Sequence, residues 1–169
     1  DDLMYPNAIE DAAAFARAHP DLRVFHNAYE LVDPTGRVLH RHRLPSLRDP
    51  RRAIADGNFM SCIGDFLHRD IYTSFAFDTD PAVSGSEDWL FWLQVIADND
   101  VGRINRINSG IVEHPGRTLA TNSLADAHDR ILAVIRKVRE SPHLAERYGP
   151  YLGRLEAGGR LFLASLANS

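Results

Sequence analysis

The sequence predicts an α/β fold, and three observations lead there. Apolar residues recur at helical spacing in "NAIEDAAAFARA", in "SEDWLFWLQVIAD" and along residues 123 to 141, as helices with one face on a core require. Segments rich in strand formers, "DLRVFHNAYELVD" and "VGRINRINSGIVE", are interleaved with them. Between Val32 and Val38 stands "DPTGR", whose Pro and Gly mark the turn of a hairpin.

Taken in order, Pro6 suits a first helical turn, and Ile9, Ala12, Ala13, Phe15 and Ala16 carry helix one over residues 6 to 19. The hairpin follows, with Leu22, Val24 and Phe25 in its first strand and Val38 and Leu39 in its second. The polar, basic stretch from Arg41 to Arg52 is twice broken by proline and reads as a surface loop, closed by a short helix around Ala53. "NFMSCIGDFLHRDIY" reads as a buried strand from Phe59 to Leu67 that turns into a short helix. The next helix places Trp89, Leu93, Ile96 and Ala97 on one face. Its start is signalled twice, by the capping-box spacing of Ser84 and Glu87 and by Ser86 as an alternative cap. Residues 101 to 113 have strand character broken at Gly110, and "HPGRTLATNS" is a loop. A long amphipathic helix then sets Leu124, Ala127, Ile131, Val134, Ile135 and Val138 on one stripe, and a final helix carries Leu152, Leu155, Leu161, Phe162 and Leu166. The seam between an α/β portion, 1–122, and a helical extension, 123–169, is expected near Asn122.

Composition narrows the functional classes. A chain of 169 residues with 44% hydrophobic and 25% charged residues is one ordinary domain able to bury about 70% of its unfolded surface. Nineteen basic against twenty-three acidic residues give a net charge of -4, which argues against broad nucleic-acid binding. Arg37, Arg41, Arg43, Arg48, Arg51 and Arg52 form a local basic run. It is read as a solvated face, with an anionic acceptor or a membrane surface as the specific alternative. Cys62 is the single cysteine and has no internal disulfide partner, so a cytoplasmic setting is expected. No apolar run approaches the roughly 20 residues that span a bilayer.

Three places hold residues suited to chemistry: Asp1 with Asp2, Glu87 with Asp88, and His114 in "EHPG". Each has a plain structural reading. Acidic residues at a first helical turn interact favourably with free N–H groups and the helix dipole, for a few tenths to about 1 kcal/mol each. A histidine before a proline in a loop is commonly a surface residue.

The order of these motifs nevertheless resembles a known family. "DDLMYPNAIE" is similar to the end of the D-x-D-D-x-x-x-P segment of family 2 glycosyltransferases of the GT-A fold. "SEDWLFWLQVIA" resembles that family's E-D-W helix, and "GIVEHPGRTLATNS" its following strand and loop. The likeness covers residues 1 to about 123. It implies a GT-A-like mixed sheet with flanking helices and an inverting, metal-dependent transfer of sugar from a nucleotide-diphospho-sugar donor to an acceptor hydroxyl, the acceptor being saccharide, lipid-linked or protein.

The resemblance also assigns roles. Asp1 and Asp2 stand at the end of the metal motif, with His114 as a further metal or diphosphate contact; carboxylates suit Mg²⁺ or Mn²⁺, which neutralises a departing diphosphate. Asp88 matches the general base that takes the acceptor proton. Glu87 caps the helix or orients the acceptor. Trp92 lies slightly off the inner stripe and is placed facing an acceptor sugar, whereas Trp89 is read as core. Arg117 is a candidate fork for a phosphate. Asn58, Ser61, Cys62 and Gly64 fall where the family passes a strand and loop by the donor sugar, although small residues there fit tight packing equally well. The family's N-terminal nucleotide-binding half has no counterpart here, so the chain is expected to be part of a longer enzyme with Asp1 and Asp2 near Asp88. Two rivals stand beside this reading: a non-catalytic binding or assembly domain in which the acidic pairs are caps, and a metal-dependent phosphohydrolase.

Overall fold

The computed structural model describes residues 2–60, 63–114 and 123–167. Its centre is a parallel pair of long strands, β2 (Val24–Val32) and, late in the chain, β5 (Val101–Val112), paired from Val24 opposite Val101 to Val32 opposite Val112 with the register shifting on either side of Ala28. The other edge of β2 is shared. β4 (Asp65–Leu67) runs antiparallel to its beginning, Phe66 facing Phe25, and β3 (Val38–Arg41) runs antiparallel to its end as the expected hairpin. The short β1 (Leu3–Met4) pairs antiparallel with Gly110 and Ser109 of β5. The sheet is therefore mixed and open.

Alternation along β2 decides what lies on each face, because successive side chains of a strand point to opposite sides. Phe25 turns toward α1 (Ala8–Ala18), where it joins Ala12 and Ile104 in a small cluster with Phe15 and Phe66. Val24 turns the other way, into the main core. That core is built around α4 (Glu87–Ile96), which is apolar nearly all round because helices cover several of its sides. α2 (Pro50–Asp56) packs on one side of α4 and α5 (Leu124–Glu140) on another. After α5 come α6 (Pro142–Tyr148), a 3₁₀ turn (Gly149–Tyr151) and α7 (Leu152–Leu166), which lies on α2 and α5. α3 (Arg69–Ser74) follows β4.

Several expectations need correction. Among the described residues, the strand expected over Phe59 to Leu67 is formed only from Asp65, since Gly64 takes a φ of +93°, outside extended conformation, and packs against the Asn27 side chain. Gly110 does not break β5. It makes room for Tyr5, whose hydroxyl oxygen would lie 2.9 Å from a Cβ at that position. The capping box of Ser84 and Glu87 is replaced by a different arrangement: Ser86 is the cap residue without a side-chain bond, and the Glu87 carboxylate accepts from the Gly85 N–H. Between the long helix and the final one stands a short helix the sequence did not predict: Ser141 ends α5, and its hydroxyl accepts from the Leu144 N–H to start α6. Leu124, placed on the inner stripe of α5 from its spacing, is 47% exposed.

The seam expected at Asn122 lies outside the described residues. On its C-terminal side Ile131, Val134, Val138, Leu144, Tyr148 and Leu155 belong to the same core as Ile54 and the α4 residues. The Tyr148 hydroxyl donates to the Leu93 carbonyl at 2.8 Å, and the Tyr151 hydroxyl to Asp49 at 2.7 Å. Among the described residues no helix is long and apolar enough to cross a membrane.

Candidate functional site

Asp88 sits in the first turn of α4, half-buried, on the wall of a cleft of about 660 Å³. Its carboxylate is oriented by two donors. The Asn58 side-chain N–H₂ donates to Oδ2 at 3.0 Å, and the Trp89 backbone N–H donates to Oδ1 at 2.7 Å. Asn58 is itself held, its Oδ1 accepting from the Met60 N–H at 3.2 Å. Fixed donors on both oxygens hold the Asp88 carboxylate in one orientation, as a general base needs.

Beneath Asp88 lies a buried polar pair that sequence reasoning missed. His26, fully buried on β2, places Nδ1 2.7 Å from Oδ1 of Asp65 on β4, whose side chain is 7% exposed. Burial pushes the Asp65 carboxyl up to about 6, opposed by the hydrogen bond and charge of His26 and reinforced by the charge of Asp88. Nε2 of His26 and Oδ2 of Asp65 have no hydrogen-bond partner among the described residues. The signal in the sequence was weak: His26 stands beside Val24 and Phe25, and Asp65 just before Phe66 and Leu67, apolar neighbours among which an ionisable group is costly unless paired.

The remaining expected residues divide. Glu87 lines the same cleft, its carboxylate turned back to the Gly85 N–H. Trp92 is buried at 5% exposure with its ring edge-on to Phe91, so it belongs to the core and does not face a sugar. Trp89 lines the cleft instead, although it is also buried and donates its indole N–H to the Ile54 carbonyl at 2.9 Å. The core position of Trp92 follows from helices packing on several sides of α4. Asp1, Ser61, Cys62 and Arg117 lie outside the described residues.

Asp2 is exposed and does not cap α1, whose cap residue is Asn7. One Asp2 carboxylate oxygen accepts from the Val112 N–H at 3.3 Å, and His114 follows two residues beyond, at the same end of β5. Asp2 and His114 are thus gathered at the close of β5, while Asp88 is anchored to Asn58. The two groups are held by different elements, and the described contacts do not set the acidic pair beside Asp88. Among the described residues no three His, Cys, Asp or Glu side chains gather where a metal ion would sit. One carboxylate and one imidazole suit only a hard cation that draws most of its ligands from water and substrate phosphate.

Part of the basic run is consumed locally. Arg37 pairs with Asp33, Arg41 with buried Glu30, and Arg51 donates to the Ala97 carbonyl. A second groove, about 840 Å³, runs between α1 and the edge of β4, lined by Ala12, Phe25 and Phe66 among others and lacking Asp88 and Glu87.

Fold and cleft together define an α/β protein with a mixed open sheet, flanking helices and a carboxylate-walled cleft at the start of a buried helix. No family model matches the chain, and no curated protein matches it.

Proposed function

We propose that the protein is an inverting glycosyltransferase of the GT-A type, taking sugar from a nucleotide-diphospho-sugar donor, in which Asp88 is the general base. The observation that carries the reading is the setting of Asp88: in a cleft, in the first turn of a helix, with both carboxylate oxygens already oriented by Asn58 and Trp89. The motif order of the sequence supports it from the other side.

The acceptor hydroxyl gives its proton to Asp88 as its oxygen forms a bond to the anomeric carbon. The bond from that carbon to the diphosphate oxygen breaks, and the diphosphate leaves with the electron pair. A single base suffices because the leaving group needs no proton, unlike the sugar oxygen released in glycoside hydrolysis. Asp2 and His114, with Asp1, are the residues that would hold Mg²⁺ or Mn²⁺, which supplies charge neutralisation at the departing diphosphate when bound.

The test is transfer from nucleotide-sugars by the full-length enzyme carrying Asp88→Asn. Transfer is expected to fall by at least 10²-fold, the lower range for loss of a general base, with donor binding nearly unchanged. Full transfer by the variant removes Asp88 from the reaction. Donor turnover that is independent of any acceptor assigns the chain to hydrolysis instead.

A further inference from the structure

The cleft at Asp88, completed by Gly158 and Gly159 of α7, has no histidine in its lining among the described residues. An imidazole pair stands elsewhere, at the end of β3. His40 lies in the strand and His42 just past it, two residues apart, so their side chains leave the same side of the sheet. Both backbones are fixed against β2: His40 is opposite Leu31, and the His42 N–H donates to the Tyr29 carbonyl at 3.0 Å. The turn behind them is stiff, since one oxygen of Asp33 accepts from the N–H groups of Thr35 and Arg37 and from the Thr35 hydroxyl. Arg41, between the two histidines, belongs to the other face, where it pairs with Glu30 at 3.2 Å.

The ring centroids of His40 and His42 are 4.9 Å apart, with their planes at 86°. Two imidazoles on one metal ion have much the same separation. With a metal–nitrogen bond of about 2.0 Å and about 1.2 Å from nitrogen to ring centre, ligands at roughly 90–109° place their centroids about 4.5–5.2 Å apart. His42 is held by stacking on Tyr29 at 4.4 Å and 19°, while His40 is exposed and free to turn its ring. Other histidines are engaged differently: His26, His68, His128 and His143 each lie against a carboxylate. Neither His40 nor His42 has a ring hydrogen bond or an ion pair among the described residues, only their ring contacts. Such nitrogens are available to coordinate.

From this geometry we propose that His40 and His42 form a two-imidazole site for a transition-metal ion of the Cu²⁺, Ni²⁺ or Zn²⁺ kind. Imidazole suits these ions, whereas Mg²⁺ and Mn²⁺ draw on oxygen ligands. No third His, Cys, Asp or Glu joins the pair among the described residues, so the remaining positions go to water or to a small anionic chelator. The site uses none of the residues of the glycosyltransferase reading and does not rest on it.

Binding of the Cu²⁺ complex of iminodiacetate to the untagged full chain tests the pair, because that chelator leaves room for two imidazoles on one ion. One complex per chain is expected, with two imidazole nitrogens in its electron paramagnetic resonance spectrum and NMR broadening centred on His40 and His42. His40→Gln is expected to weaken binding at least tenfold, with thermal unfolding of the metal-free chain unchanged. His42→Phe keeps a ring against Tyr29 but removes the nitrogens, and is expected to match it. His128→Gln, on α5, is expected to leave affinity unchanged.

Absence of binding overturns the proposal, as does affinity that His40→Gln leaves intact or that His128→Gln lowers equally. A spectrum with a single imidazole nitrogen overturns the pairing. Two imidazoles seen only on a metal-induced dimer place the ligands on two chains and overturn it as well. Displacement of the copper complex by an equal concentration of Mg²⁺ overturns the metal class.

Discussion

Replacing Asp65 by Asn isolates the cost of a buried carboxyl, and the sign of the effect follows from its titration. The Asp65 carboxyl is pushed up from 3.8 to about 6 by burial. Between those values the folded chain holds a proton that the unfolded chain has lost, so Asp65 makes stability fall as pH rises through about 6. Above that range the shift corresponds to a penalty of roughly 3 kcal/mol, and from pH 4.5 to pH 7.5 the linkage integral amounts to about 2 kcal/mol. Other carboxylates run the opposite way, Asp33 being held down at about 2 by its bonds to Thr35 and Arg37. They are common to both proteins and cancel in the difference. Urea unfolding followed by the fluorescence of buried Trp89 and Trp92 gives that difference at each pH. Wild type is expected to gain about 2 kcal/mol relative to Asp65→Asn on going from pH 7.5 to 4.5. A flat difference, or wild type losing ground on acidification, refutes the reasoning and makes His26 and Asp65 a stabilising ion pair.

Two further substitutions probe how the cleft is built. Gly158→Ala adds a helix-favouring residue, yet its Cβ meets the Asp56 carbonyl at 2.4 Å; a net loss of about 1–3 kcal/mol is expected in chemical denaturation, and a gain would show that α7 shifts freely. Tyr148→Phe removes the buried bond to the Leu93 carbonyl, which still accepts from the Ala97 N–H at 3.2 Å, so a loss of about 1 kcal/mol in the same measurement is expected.

How much of this was legible in the sequence depends on the range of the interaction. The hairpin of β2 and β3, the helix of Glu87–Ile96 and the stripe of α5 are set by local periodicity and turn chemistry, and they stand where periodicity puts them. Asp88 was legible too, as an acidic residue in a first helical turn. The shortened β4 was not, because it depends on Gly64 adopting a positive φ beside Asn27, a contact across 37 positions. Trp92 was misplaced for a related reason: a helix covered on several sides has no solvent face for periodicity to reveal. The pairing of His26 with Asp65 and the return of α7 to the cleft are likewise long-range, and no spacing rule carries them.

That return has a consequence for the order of assembly. The bonds that bring the far end of the chain back to α2 join Tyr151 to Asp49 and Arg154 to Asp56, spanning 102 and 98 positions. Contacts so distant in sequence form only after a large loop has closed, and on a ribosome only after the later partner has emerged. The sheet and α4 are made from residues already synthesised by then. The pocket thus forms after the sheet and α4 exist, and a nascent chain carries Asp88 on an unfinished surface until α7 arrives.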